Sequence, residues 1–199
     1  MKVVCLDMEG VLVPEIWIAF SEETGIPELR RTTRDEPDYD KLMHFRLEIL
    51  REQGLGLKEI QAVIAKIDPL PGAKEFLDEL RTLTQVLILS DTFEEFAHPL
   101  MKKLGWPTLL CNSLEVGANG EITGYHMRCA NSKLSTVKAL QSVGCETIAS
   151  GDSYNDLAMI QASSAGFLFK STDKIRADYP QIPAYETFPE LLNAIKRVL

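Results

Sequence analysis

Two carboxylates one residue apart close a short apolar run near the start of the chain, Val3-Val4-Cys5-Leu6-Asp7-Met8-Glu9-Gly10-Val11. Alternate side chains of an extended strand share a face, so Asp7 and Glu9 are expected on one side, with Gly10 permitting a tight turn behind them. Two acids at the end of a buried strand repel each other and desolvate badly, and a divalent cation is the usual compensation. A second pair, Asp152 and Asp156, lies four residues apart around a helix start in Gly151-Asp152-Ser153-Tyr154-Asn155-Asp156, which sets both on one side. Ser90 stands where the apolar run 85–89 ends. Lys133 falls in the first turn of a helix capped by Asn131, where the macrodipole disfavours a cation. Arg46 is also out of place, in the middle of an apolar helix face made by Leu42, Met43, Phe45, Leu47, Ile49 and Leu50. Either it snorkels outward or meets a nearby acid, or that face lines a cavity where its planar fork awaits a carboxylate or phosphate.

The elements that must position these groups follow from periodicity. A helix is expected over 15–23, with Pro14 in its first turn and Gly25 at its end. A polar loop over 30–40, holding Pro37, leads to a helix over 41–53 with His44 on its solvated side, and then to another over 57–67 closed by Asp68-Pro69. From Leu70 the pattern changes to helices alternating with apolar runs. An amphipathic helix over 72–83 precedes a strand over 85–89, and the spacings Asp91-x-x-Glu94 and Thr92-x-x-Glu95 predict a capped helix just past Ser90, running to Leu104. A short strand over 108–111, a hairpin over 113–127 around Asn119-Gly120 and a helix over 131–143 come next. Strands over 146–149 and 165–169, a polar proline-containing stretch and a helix over 189–199 complete the chain. This alternation predicts an α/β fold: a Rossmann-like parallel sheet covered on both faces, with an inserted all-helical block. Ligands of such sheets bind at the carboxyl ends of strands, where Asp7, Glu9, Ser90, Lys133, Asp152 and Asp156 would meet. The sum suits a phosphoryl group held beside Mg²⁺.

Composition narrows the partners. The chain has 199 residues, 45% of them hydrophobic, enough for a real core. Its net charge of −8 and lack of a basic cluster argue against nucleic acid as a partner. No apolar segment approaches the roughly 18 residues of a membrane span, and no signal-peptide h-region opens the chain. Cys5, Cys111, Cys129 and Cys145 show no CxxC spacing, so reduced thiols and a cytoplasmic location are expected rather than zinc or disulfides.

In order along nearly the whole chain, Asp7-Met8-Glu9-Gly10, Ile88-Leu89-Ser90, Lys133 and the run 151–156 resemble the four motifs of the haloacid-dehalogenase superfamily of phosphotransferases. The block 14–69 resembles the cap that the phosphoserine phosphatase branch inserts after motif one. The runs Pro14-Glu15-Ile16-Trp17 and Ser90-Asp91-Thr92-Phe93 are closest to the bifunctional phosphoserine phosphatase and phosphoserine:homoserine phosphotransferase subfamily. That resemblance implies a core of 1–13 and 70–199 with a cap of 14–69, and an aspartyl-phosphate formed on Asp7 with Glu9 as general acid and base. It implies Mg²⁺ held by Asp7, the Glu9 backbone carbonyl and Asp152, with Asp156 in support. It further implies phosphate contacts from Ser90, Asp91 and Lys133, and substrate contacts from Glu15 (ammonium), Arg46 (carboxylate) and Asn155. Phosphoserine is the implied substrate, and homoserine an implied second acceptor. Glu9 departs from the aspartate usual in the wider family; the added methylene carries the carboxylate about 1.5 Å further out. A receiver-type signalling domain unites similar groups, but in about 120 residues with no helical insertion and without its acceptor on the first strand. A non-catalytic binder would lack one of these acids. A phosphatase for another small phosphomonoester is the closer alternative.

Overall fold

The computed structural model describes residues 1–32, 35, 36 and 38–199, so the loop proline Pro37 lies outside it. The run 3–6 is buried on both sides, as a central parallel strand requires, and forms β1 (Lys2–Leu6). Beside it lie β2 (Gln85–Phe93), β3 (Thr108–Val116), β4 (Ile122–His126), β5 (Glu146–Gly151), β6 (Ala165–Phe169) and β7 (Ala184–Tyr185). Among the described residues these make one sheet in the order β4-β3-β2-β1-β5-β6-β7, with only β4 antiparallel. The chain leaves β1 for β2 and β3, then crosses to the other side at β5. The carboxyl ends of β1 and β5 therefore flank the switch in direction, the place where such sheets leave a crevice.

Between β1 and the first core helix come three α-helices, one short 3-10 helix (Pro27–Arg30) and no strand among the described residues: the α-helices are α1 (Ile16–Thr24), α2 (Tyr39–Glu52) and α3 (Leu57–Ile64). Then follow α4 (Ala73–Leu83), α5 (Glu94–Lys103), α6 (Ser132–Ser142), α7 (Leu157–Ala162), α8 (Asp173–Asp178) and α9 (Phe188–Val198). One apolar cluster runs from Val4 and Leu6 of the sheet through Ile16 and Phe20 of α1 to Met43 and Leu50 of α2, so the inserted helices share the sheet's core. Polar ties add to this. Pro99 inside α5 has no N–H to give the Glu95 carbonyl, and that carbonyl accepts instead from Gln61 Nε2 of α3 at 2.8 Å. Lys103 donates to the Ile67 carbonyl at 2.7 Å, and the Leu57 amide to Gly120 at the hairpin turn at 2.8 Å.

Several expected boundaries move. The helix after Ser90 starts later, at Glu94, because 90–93 continue the strand. Two residues of β3 there face four steps of β2, a bulge that throws Ser90, Asp91 and Thr92 out of the ladder. The strand expected to stop at Cys111 continues into the hairpin as β3. Asn131 precedes α6 in the left-handed region without a side-chain cap bond, and Pro14 stays outside α1. The helix expected to reach Ile67 ends at Ile64, and the polar stretch after β6 contains α8 and β7. All four cysteines are free. Among the described residues no helix is long and apolar enough to cross a membrane.

Candidate active site

Asp7 is the first residue past β1. Its amide bonds the Ser150 carbonyl of β5 at 2.9 Å, which pins it at the crevice. Its own Oδ1 accepts from the Met8 amide at 2.7 Å and lies 2.9 Å from Lys133 Nζ. Lys133 also lies 2.6 Å from Asp156 Oδ1, so one buried ammonium bridges two buried carboxylates. Burial disfavours that ammonium, but Asp7, then Asp156 and Asp91, outweigh it and hold its pKa above the usual value. The unfavourable place at a helix start is thus offset by two buried carboxyl groups within hydrogen-bond reach.

Asp7, Asp152 and Asp156 place one carboxylate oxygen each within 4.8 Å of one another. Asp156 is already spoken for: its Oδ2 accepts from the Asp152 and Ser153 amides, each at 3.1 Å, and from Ser153 Oγ at 3.2 Å. It holds the motif-four turn in shape, and a Cβ on Gly151 would come within 2.2 Å of its Cγ. Among the described residues no other side chain bonds Asp7 Oδ2 or the Asp152 carboxylate. Burial, then the charge of Asp156, pushes the Asp7 carboxyl well above its ordinary pKa, and the same two causes push Asp152 up to about 7. Three acids facing one lysine need one more cation to be anions together. An all-oxygen donor set suits a hard divalent ion. Gly10 keeps that side open: it has φ +75°, and a Cβ there would sit 2.5 Å from Asp152 Cγ.

Glu9 does not join this cluster. The chain leaves the strand at Asp7, so the expected pleat is broken. The Glu9 carboxylate turns instead to the start of α1, where Oε2 accepts from the Ile16 amide at 2.8 Å. Glu15, expected inside that helix, is its N-cap residue but makes no side-chain cap bond; Glu9 supplies the oxygen in its place. Burial, then the charge of Glu15, lifts the Glu9 carboxyl up to about 8.

Ser90 is buried on the bulge, with its Oγ accepting from the Thr92 amide at 3.2 Å. Asp91 does not cap a helix. Its Oδ1 accepts from Ser132 Oγ at 2.9 Å and its Oδ2 from Asn155 Nδ2 at 3.0 Å, which ties β2, α6 and the motif-four turn together. Asn112 on β3, buried and unremarked in the sequence, donates to the Asp91 carbonyl at 2.9 Å; it sits at what periodicity reads as a strand end. Above these groups stand the inserted helices. Arg46 of α2 is buried rather than snorkelled, and among the described residues no carboxylate pairs with it. Its Nη2 donates to the Arg31 carbonyl at 2.6 Å and its Nε has no partner. Burial lowers its pKa to about 10, while Tyr39, Glu9 and Glu15 favour the charged form. Glu15 is exposed, and its charge acts on Glu9 and Asp152. His44 is exposed, as expected, with its Nδ1 2.7 Å from the Asp40 carbonyl.

Comparison with known proteins agrees with this geometry. Residues 1–164 match the model of the haloacid dehalogenase-like hydrolases. Phosphoserine phosphatase ThrH of Pseudomonas aeruginosa is 53% identical over 191 residues, covering 96% of this chain and 93% of its own. A phosphoserine phosphatase of Pseudomonas syringae pv. tomato is 54% identical over 190 residues, covering 96% and 80%. Among solved structures, a phospho-aspartyl intermediate analogue of phosphoserine phosphatase superposes with a TM-score of 0.76 at 21% identity, covering 97% of this chain and 98% of that one, a likeness of fold.

Proposed function

Because this chain belongs to the haloacid dehalogenase-like hydrolase family, we propose that it is a phosphoserine phosphatase working through an aspartyl-phosphate on Asp7. The observation that carries the reading is Lys133, bridging Asp7 and Asp156 at the carboxyl ends of β1 and β5 beside Asp152. An Asp7 oxygen forms the bond to phosphorus as the bond to the serine oxygen breaks, and the Glu9 carboxyl gives that oxygen its proton. Glu9, now a carboxylate, takes a proton from the water whose oxygen then bonds phosphorus as the bond from phosphorus to the Asp7 oxygen breaks, releasing phosphate and restoring the Asp7 carboxylate. Ser90 and Lys133 bind the phosphoryl oxygens, with Asp91 and Asn155 fixing the loop walls around them. Mg²⁺ would be held by Asp7, Asp152 and the Glu9 backbone carbonyl, with Asp156 in support, and would supply positive charge against the phosphoryl oxygens. Residues 14–69 serve as a cap on the core of 1–13 and 70–199. From that cap, Glu15 takes the substrate ammonium and Arg46 its carboxylate. Free thiols and a small-metabolite substrate are consistent with the cytoplasm.

The test uses two substrates that share phosphate and ammonium: phosphoserine, and phosphoethanolamine, which lacks the carboxylate. Phosphate release with Mg²⁺ is expected to favour phosphoserine. Arg46→Ala is expected to lower kcat/KM for phosphoserine on the order of 10²-fold, as for a lost charged hydrogen bond, and to leave phosphoethanolamine nearly unchanged. Equal losses on both would make Arg46 structural.

The second acceptor rests on the likeness to the bifunctional branch. Homoserine carries the same ammonium and carboxylate as serine, so Glu15 and Arg46 would hold it once serine has left. Effective molarities of oriented groups reach about 10⁵ M or more, enough for a bound hydroxyl to compete with water. Phosphorus NMR of enzyme, Mg²⁺ and phosphoserine is expected to show phosphohomoserine rising with added homoserine. Inorganic phosphate as the sole product at saturating homoserine would restrict the protein to hydrolysis.

A further inference from the structure

We infer that Trp17 positions Arg46 for its ligand, holding the guanidinium under the indole face without occupying the edge that a carboxylate needs; this rests on the carboxylate role proposed for Arg46. The guanidinium carbon lies 4.4 Å from the centre of the Trp17 ring, and Arg46 is only 5% exposed. Among the described residues its remaining polar contacts are the Arg31 carbonyl at 2.6 Å and the Met43 sulfur at 3.8 Å, and Nε has no partner. A buried cation with no counter-ion among the described residues is costly, and a tryptophan face is the strongest of the uncharged aromatic surfaces that attract one. An acidic partner would stabilise Arg46 too, but it would take the in-plane N–H groups that bind a carboxylate bidentately. The indole attracts the charge without accepting from its N–H groups, so Nε keeps a hydrogen to give to the substrate carboxylate. Trp17 is itself fixed edge-on against Phe20 at 6.2 Å and against Phe96 of α5 at 5.4 Å, so the core helix sets the ring that sets the arginine.

The experiment measures Trp17→Leu, Trp17→Phe, Arg46→Ala and the double variant Trp17→Leu with Arg46→Ala, each on phosphoserine and phosphoethanolamine. Trp17→Leu is expected to raise KM for phosphoserine on the order of 10-fold with kcat little changed, to spare phosphoethanolamine, and to add nothing in the Arg46→Ala background. Trp17→Phe, which keeps a weaker aromatic face, should raise KM by roughly 3-fold on phosphoserine alone; it decides the matter if Trp17→Leu does not fold. Equal losses on both substrates, or additivity with Arg46→Ala, would mean that Trp17 only packs α1 against α5, and the inference falls. If Arg46→Ala itself fails to distinguish the substrates, the carboxylate reading falls and takes this one with it. If Arg46→Ala distinguishes them and the Trp17 variants do not, only the positioning role is lost.

Discussion

Asp7→Asn is expected to lower phosphate release on the order of 10⁴-fold or more, in line with removal of other covalent nucleophiles, and to leave no phosphoenzyme. The amide is nearly the size of the carboxyl, so the space between β1, β5 and Lys133 stays filled. It keeps an oxygen for the Met8 amide, which bonds Asp7 Oδ1 at 2.7 Å. It also removes a charge that burial and the neighbouring Asp156 and Asp152 disfavour. Lys133 keeps its 2.6 Å bond to Asp156. The melting temperature without divalent cation should therefore not fall below that of the native protein, which separates loss of chemistry from loss of fold. Acid-labile phosphate on the variant after incubation with phosphoserine would refute Asp7 as the nucleophile.

How far the sequence could be read depends on whether each residue's job is local. The sheet was legible because parallel strands buried on both faces appear as unbroken apolar runs, and 3–6 and 165–169 do so. Lys133 and Arg46 were legible as misfits: a cation at a helix start and a guanidinium on an apolar face each imply a partner from elsewhere. Asp91 misled for the opposite reason. Its spacing to Glu94 satisfies a capping box, but Ser132 and Asn155, distant in sequence, claim its oxygens, and Glu95 bonds the Leu114 amide at 2.9 Å. Glu9 misled because alternation holds only while the chain stays extended, and the strand ends at Leu6, before either acid. The bond from Glu9 to the Ile16 amide gives the extra methylene a use: it spans from the end of β1 to the first turn of α1. Asn112 carried no signal of its own, and Trp17 only as part of the run 14–17. A single polar residue in a strand and one aromatic on a helix gain meaning only from what they face.

Lys133→Met should cost the fold more than any other single change at this site. The methionine fills a similar length but carries no charge, so Asp7 and Asp156, both buried, lose the ammonium now 2.9 Å and 2.6 Å away. Removing one partner of a buried ion pair typically costs about 3–5 kcal/mol, which for a chain of this size is a fall in Tm on the order of 10 °C. Turnover should be lost as well, since no cation would remain to hold the phosphoryl oxygens from the protein side. The cause can be separated from simple mispacking by adding Asp156→Asn. The amide oxygen can keep the bonds that Oδ2 accepts from the Asp152 and Ser153 amides at 3.1 Å, while the side facing position 133 loses its charge. If the deficit is an uncompensated negative charge, the double variant should regain a measurable part of the lost Tm while remaining inactive. If it melts no higher than Lys133→Met alone, Lys133 supports the fold through its packing, and its place as the counter-charge to Asp7 and Asp156 is wrong.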